Sequence, residues 1–203
     1  MAHAHTDGHA HAHHFPNAQV QYDAAKLGMW VFLATELLLF GGLFSAYAVF
    51  KGLYPEMFAA SNVHLNRIMG AVNTVILICS SYTAVLAVMA AKRGDNQKVQ
   101  LHLWLTIAFA AAFGVVKYFE YSAKFEHHLY PSTNTYFGLY FVMTGIHMLH
   151  VAIGMGILAW VALRAKKNEF SSAYYPPVEL GALYWHLVDL IWIFLFPLVY
   201  LVA

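Results

Sequence analysis

The sequence predicts an all-α, polytopic membrane protein: a bundle of five transmembrane helices with its N-terminus inside and its C-terminus outside. Of the 203 residues, 61% are hydrophobic and only 10% are charged, whereas a soluble domain carries about 25% charged residues. Five stretches are long enough to cross the hydrocarbon core of a bilayer, which takes about 20 apolar residues of helix. Lipid is therefore the main solvent of this chain.

The chain divides into a polar N-terminal tail, residues 1–25, and a transmembrane domain, residues 26–203. The predicted spans are residues 27–50, 68–91, 99–122, 136–163 and 180–202. They are predicted as helices because backbone groups in lipid must form their hydrogen bonds within the segment. The tail holds six of the thirteen histidines. We expect a disordered tail that is not a cleavable signal peptide, with copper or zinc binding on the inner face as the alternative.

The basic residues of the connections predict the orientation. A tight basic turn covers Lys92 to Lys98, and a basic loop ended by a proline pair covers Arg164 to Pro177. Both connections fall on the same side as Lys26. The opposite connections are assigned fewer cations, namely Lys51, Arg67, Lys117 and Lys124. The excess of positive charge places the N-terminus inside.

Composition also excludes several classes of function. A formal net charge of +1 provides no strong field for nucleic acid. The single cysteine, Cys79, excludes an internal disulfide and a multi-cysteine metal cluster. The sequence has no internal repeat of the kind that many transporters show.

Ionisable residues inside the predicted spans indicate the candidate site, because a charge at the bilayer centre costs about 2.5–3.5 kcal/mol on insertion scales. Glu36 lies about 15 Å into the first span, and Asp189 lies at a similar depth in the fifth. His186 precedes Asp189 by one helical turn, and His147 and His150 are one turn apart in the fourth span. These residues are expected to form one buried polar layer.

Glu120 is the sixth candidate and lies near the outer end of the third span. Lys117 precedes it by three residues, and we interpret the two as a structural ion pair. The buried polar set is therefore Glu36, Glu120, His147, His150, His186 and Asp189.

Three interpretations of this polar set remain open. It could ligate a metal or haem, for which His147 and His150 share one helix face and need a partner such as His186. It could form a proton or ion path. The third and favoured interpretation is a network for packing and assembly, which fixes the bundle and presents it to other subunits. We accordingly assign no residue to catalysis, to a cofactor or to a metal.

Four segments carry motifs that occur in this order in one known family. YWHLVDLIWIFLF (Tyr184–Phe196) has the pattern aromatic-Trp-His-x-x-Asp-x-x-Trp, and FVMTGIHMLHVAIG (Phe141–Gly154) has Thr-Gly-x-His-x-x-His. GMWVFLATELLLFGGLFSAY (Gly28–Tyr47) carries Glu36, and KYFEY carries Glu120. The sequence thereby resembles subunit III of haem-copper oxygen reductases, the cytochrome c oxidase type, in its short five-helix bacterial form; the long form has seven spans.

The resemblance implies a subunit without a redox centre and without catalysis of its own. It implies packing against subunit I, where haem and copper reduce oxygen, together with subunit II, other respiratory subunits and phospholipid. It further implies support of assembly, stability and proton uptake in aerobic respiration, in the bacterial inner (plasma) membrane.

Alternative functions are a haem-binding membrane cytochrome, using His147, His150 and His186, and a subunit III-like protein of a quinol oxidase or nitric oxide reductase. A small ion or metal transporter is a further alternative, with the histidine-rich tail as its sensor.

Overall fold

The computed structural model describes residues 15–63 and 65–202. The histidines of the predicted tail, within residues 1–14, lie outside the described residues. The described elements are α1 (Ala18–Leu53), α2 (Pro55–Asn62), α3 (Arg67–Lys92), α4 (Asn96–Glu126), α5 (Thr135–Lys166), α6 (Pro176–Phe196) and a π-helical turn (Pro197–Leu201). Five of these helices are long and apolar enough to cross a membrane. The predicted all-α, multi-pass architecture is confirmed at this level.

The long helices form a four-helix bundle with one helix added to its side. Helix α3 packs against α4 and α6, and α5 packs against the same two helices. Helix α1 lies outside this square and contacts α5 and α6. A small cluster that includes Leu33, Phe40, Leu187 and Ile191 joins α1 to α6. Helix α6 therefore lies between α1 and α3, and it also contacts α5.

Polar side chains begin most of the long helices. Asn17, Asn66, Asp95 and Asn134 each accept a hydrogen bond from a backbone N–H in the first turn of the helix that follows. Such caps satisfy donors that have no partner within the helix. Helix α6 starts differently, with Pro176 in its first turn, where the missing N–H of proline is not needed.

Two local predictions differ from the structure, and one helix was not predicted. The proline pair, assigned to a loop, begins α6 at Pro176, ahead of the predicted start at residue 180. Helix α1 begins at Ala18, within the stretch assigned to the tail. Helix α2 has no predicted counterpart, because a helix of 8 residues is too short for a hydropathy signal.

Two lysines counted among the outer connections lie inside α4 and are buried. Lys117 is 1% exposed and Lys124 is 3% exposed. Helix α4 continues to Glu126 and spans 31 residues, about 46 Å at the usual rise. It therefore extends beyond a hydrocarbon core of about 30 Å, and its last turns carry these cations.

Helices α5 and α6 approach each other closely at Gly154. A Cβ atom added there would lie 2.8 Å from the Trp185 ring and 3.2 Å from the Tyr184 ring. The absence of a side chain at this position lets Trp185 lie directly against the backbone of α5.

Candidate functional site

Glu36 of α1 and His150 of α5 form a direct pair. Glu36 Oε2 lies 2.9 Å from His150 Nε2, and His150 Nδ1 lies 2.8 Å from the carbonyl oxygen of Ile146. Since a carbonyl only accepts, Nδ1 carries a proton. The contact with Glu36 is then either imidazolium to carboxylate or a carboxyl O–H donated to neutral Nε2. Either arrangement has no net charge, which explains how an acid persists in this apolar helix.

His147 lies one turn from His150 but has no such partner. It is fully buried, and neither ring nitrogen forms a hydrogen bond to a described residue. Its ring packs edge-on to Phe113, with centroids 5.6 Å apart, and lies 5.4 Å from the centroid of Trp192. The structure thus uses His147 as an aromatic ring between α4, α5 and α6.

Asp189 of α6 is buried against α3. It is 4% exposed, and neither carboxyl oxygen forms a hydrogen bond to a described residue. The hydroxyls of Ser80 and Ser81 lie near it, and each has a hydrogen-bond partner of its own. Ser80 Oγ donates to the Leu77 carbonyl and accepts from Trp185 Nε1, and Ser81 Oγ lies 2.8 Å from His186 Nδ1. Asp189 therefore does not pair with His186, its neighbour on the same helix.

Glu120 of α4 is the centre of a buried ionic cluster. Its carboxylate accepts hydrogen bonds from Lys117 and Lys124, both at 2.9 Å. Tyr140 of α5 and Tyr200 of the π-helical turn donate to Oε1, at 2.9 and 2.6 Å. Lys117 also donates to both tyrosine hydroxyls, at 3.1 and 2.9 Å.

Aromatic rings complete the surroundings of Lys117. Its ammonium nitrogen lies 5.2–5.6 Å from four ring centroids, those of Tyr121, Tyr140, Trp192 and Tyr200. Ring faces attract a cation, most strongly where water is excluded. The aromatic faces and the carboxylate together replace the hydration that Lys117 has lost.

The polar side chains of adjacent helices form separate clusters and not one continuous layer. Glu36 with His150 forms one pair, Ser81 with His186 a second, and Glu120 with the two lysines a third. His147 and Asp189 form no hydrogen bonds to described residues. The three histidines do not converge on one point, and the described residues contain no group of three or more His, Cys, Asp or Glu side chains arranged to hold a metal ion.

The comparisons with known proteins identify the family. The family model for cytochrome c oxidase subunit III matches residues 4–203. The chain belongs to the cytochrome c oxidase subunit III family. The resemblance carried by the four motifs is thereby confirmed.

Individual relatives of the subunit III chain cover most of its length. Cytochrome c oxidase subunit 3 of Thermostichus vulcanus is 34% identical over 194 residues, 95% of this chain and 92% of that protein. The corresponding protein of Corynebacterium diphtheriae is 36% identical over 179 residues, 87% of each chain. Quinol oxidase subunit 3 of Bacillus subtilis is 31% identical over 205 residues, 95% of this chain and 97% of that protein.

Sequence reasoning about this subunit III chain missed three members of the cluster around Glu120: Lys124, Tyr140 and Tyr200. Lys124 had an available signal, because it lies four residues after Glu120 and so shares its helix face. No sequence signal indicated that Tyr140 and Tyr200 belong to the cluster, because tyrosines near the ends of spans are usually interface anchors.

Proposed function

We propose that this chain is the non-catalytic subunit III of a bacterial haem-copper terminal oxidase. It packs beside subunit I and stabilises it during turnover. It contacts subunit II and other respiratory subunits at its margins, and supports assembly and proton uptake. In this proposal haem and copper reside in the partner subunits, phospholipid fills the remaining surface, and the chain lies in the bacterial inner membrane.

The observation that carries the proposal is the Glu36–His150 pair within a family match over nearly the whole chain. The pair joins α1 to α5 at about mid-membrane, and each group is the hydrogen-bond partner of the other. Its side chains are 16% and 10% exposed, so the pair lies at the edge of the bundle. A pair in this position ties an outer helix to the bundle, as an assembly subunit requires.

The distribution of cations supports an N-terminus inside. With Lys117 and Lys124 buried in the cluster around Glu120, the outer connections keep Lys51 and Arg67. The proposed inner connections carry more cations: Lys26, Lys92, Arg93, Lys98, Arg164, Lys166 and Lys167. This difference is larger than the sequence alone indicated, and it favours the same orientation.

Purification of the oxidase with and without this chain tests the proposal. We expect the chain to co-purify with the oxygen-reducing subunit in mild detergent. We expect the oxidase that lacks it to start at a comparable rate of oxygen consumption and to lose activity over fewer turnovers. Isolation of this chain as a solitary, haem-bearing species would contradict the proposal, and so would an unchanged turnover lifetime without it.

The electron donor divides the relatives into cytochrome c oxidases and a quinol oxidase. We propose cytochrome c oxidase as the complex, because the family model and several relatives carry that name. Oxygen consumption by the purified complex with reduced cytochrome c, compared with a quinol, decides this point.

A further inference from the structure

His186 presents an unused polar atom at the outside of the bundle. Its Nδ1 lies 2.8 Å from Ser81 Oγ of α3. The hydrogen bond through Nδ1 is the one that His186 forms with the described residues, which leaves Nε2 without a partner among them, and the side chain is only partly buried. A ring nitrogen at this depth finds no partner in lipid tails.

Tyr82 places a second unused polar group at the same level. It follows Ser81 in α3, and it is 64% exposed with no hydrogen bond to a described residue. It lies ten residues from Lys92 at the end of α3, about 15 Å along the helix. Tyrosines in spans usually lie at the membrane interfaces, so its position well inside the span needs another explanation.

Both groups lie on one outer surface, which we call the α3–α6 face. It is defined by Ser81, Tyr82, His186, Leu190 and Ile193. Leu190 and Ile193 are 42% and 43% exposed. Since α6 contacts both α1 and α3, its exposed side chains lie between these two helices.

The exposed surface of α4 and α5, on the other side of the bundle, differs from the α3–α6 face. Across the middle of α4 and α5 the exposed residues are all apolar: Ala108, Ala111, Ala112, Val115, Val142, Leu149, Ala152 and Ile153. Such a surface suits lipid, whose tails offer only apolar contact. The two surfaces differ in hydrogen-bonding capacity, and not in apolar area alone.

We propose that the α3–α6 face docks one transmembrane helix of the oxygen-reducing partner subunit. That helix carries a hydroxyl, amide or carboxyl side chain level with His186, which pairs with Nε2. The helix makes apolar contacts with Leu190 and Ile193, and the Tyr82 hydroxyl offers it a second hydrogen bond. The inference rests on the proposed function, because it assumes an oxidase as the partner.

Photo-crosslinking in the intact oxidase tests the docking face. A photoreactive phenylalanine analogue replaces Leu190 in one variant and Leu149 in the other. Leu149 is the matched control, because it is 58% exposed on α5 and lies level with Leu190. The level follows from the antiparallel contacts of Trp185 with Gly154 and of Trp192 with His147.

We expect the position-190 variant to join covalently to the oxygen-reducing subunit and the position-149 variant to give only lipid adducts. A protein adduct from position 149 alone, or lipid adducts from both, overturns the docking face while co-purification still supports the proposed function. If the chain never co-purifies with an oxidase, the proposed function fails, and this inference fails with it.

Substitutions of His186 test the hydrogen bond itself. His186→Phe removes both ring nitrogens, whereas His186→Gln keeps a donor and an acceptor. We expect the phenylalanine variant to bind the partner about threefold more weakly, the size of one interhelical hydrogen bond, and the glutamine variant to bind as the parent does. Retention of the chain on the complex during a detergent titration measures this. Equal retention of the two variants contradicts the hydrogen bond.

Discussion

At the residue scale, Glu120 balances two ammonium groups in the buried interior of the bundle. Lys117, Glu120 and Lys124 are each less than 4% exposed, and the carboxylate is the common acceptor for both lysines. Removing one partner from a buried ionic cluster costs more than removing the whole cluster, because the remaining charge stays buried without compensation.

The first prediction concerns this imbalance. Glu120→Gln keeps the side-chain volume but leaves two lysines without a carboxylate, so we expect a loss of about 3–5 kcal/mol in the free energy of unfolding. Lys124→Met leaves a one-to-one pair of Lys117 and Glu120, so we expect a clearly smaller loss. Thermal unfolding of the chain within the purified oxidase measures both. If Lys124→Met lowers the free energy of unfolding more than Glu120→Gln does, the charge balance described here is wrong.

The second prediction concerns Glu36. Glu36→Ala leaves His150 Nε2 without its partner, so we expect a loss of about 1–3 kcal/mol and a shorter turnover lifetime of the oxidase. Glu36→Gln keeps a donor for a neutral Nε2, and we expect it to retain most of the stability. Thermal unfolding and repeated-turnover oxygen consumption check both variants. If alanine behaves as the parent in every measurement, the pair has no role in assembly.

At the element scale, the contact of α5 with α6 depends on a small residue at one position. The Trp185 ring occupies the space above Gly154, and its Nε1 donates to Ser80 of α3. The ring therefore joins three helices and has little freedom to move away. Gly156 lies two residues later on α5. A Cβ atom added there would meet no other helix within 4 Å.

The third prediction compares these two glycines. Gly154→Ala forces the Trp185 ring or the α5 backbone to shift, so we expect a loss of about 1–3 kcal/mol. Gly156→Ala enters open space and improves helix propensity, so we expect no loss of stability. The midpoint temperature at which the chain unfolds within the purified oxidase distinguishes them. Equal midpoints would mean that the helices separate at no cost at Gly154.

At the scale of the whole molecule, orientation follows from the connections between spans. Asn168 lies in the basic connection before α6, and Ser132 lies in the connection between α4 and α5. These two connections are on opposite sides of the membrane, because one helix, α5, separates them.

The fourth prediction uses the single native cysteine, Cys79. In a Cys79→Ser background, we expect Ser132→Cys to react with a membrane-impermeant maleimide on intact cells and Asn168→Cys to react only after permeabilisation. This follows from the excess of cations on the side of Asn168. The reverse labelling pattern would place the N-terminus outside.

Hydropathy and length predicted five spans, because the cost of exposing backbone or charge to lipid leaves few alternatives. No comparable rule predicts which side chains meet between two helices. Periodicity gives the face on which Asp189 or His186 lies, but the rotation of α6 against α3 decides which group each one meets. That rotation depends on packing details such as Trp185 over Gly154. For this reason the helices that carry the polar residues, and the Lys117–Glu120 pair within one helix, were predictable from sequence, whereas the hydrogen-bond partners across helices were not.

The cluster around Glu120 has a consequence for biosynthesis. Its two lysines enter with α4, whereas the hydroxyl of Tyr200 arrives only after α6 has been translated. Until the π-helical turn exists, the buried charges of α4 therefore lack one of their hydroxyl partners. A chain cut short before Tyr200 is expected to leave the cluster incomplete even when all five spans are in the membrane.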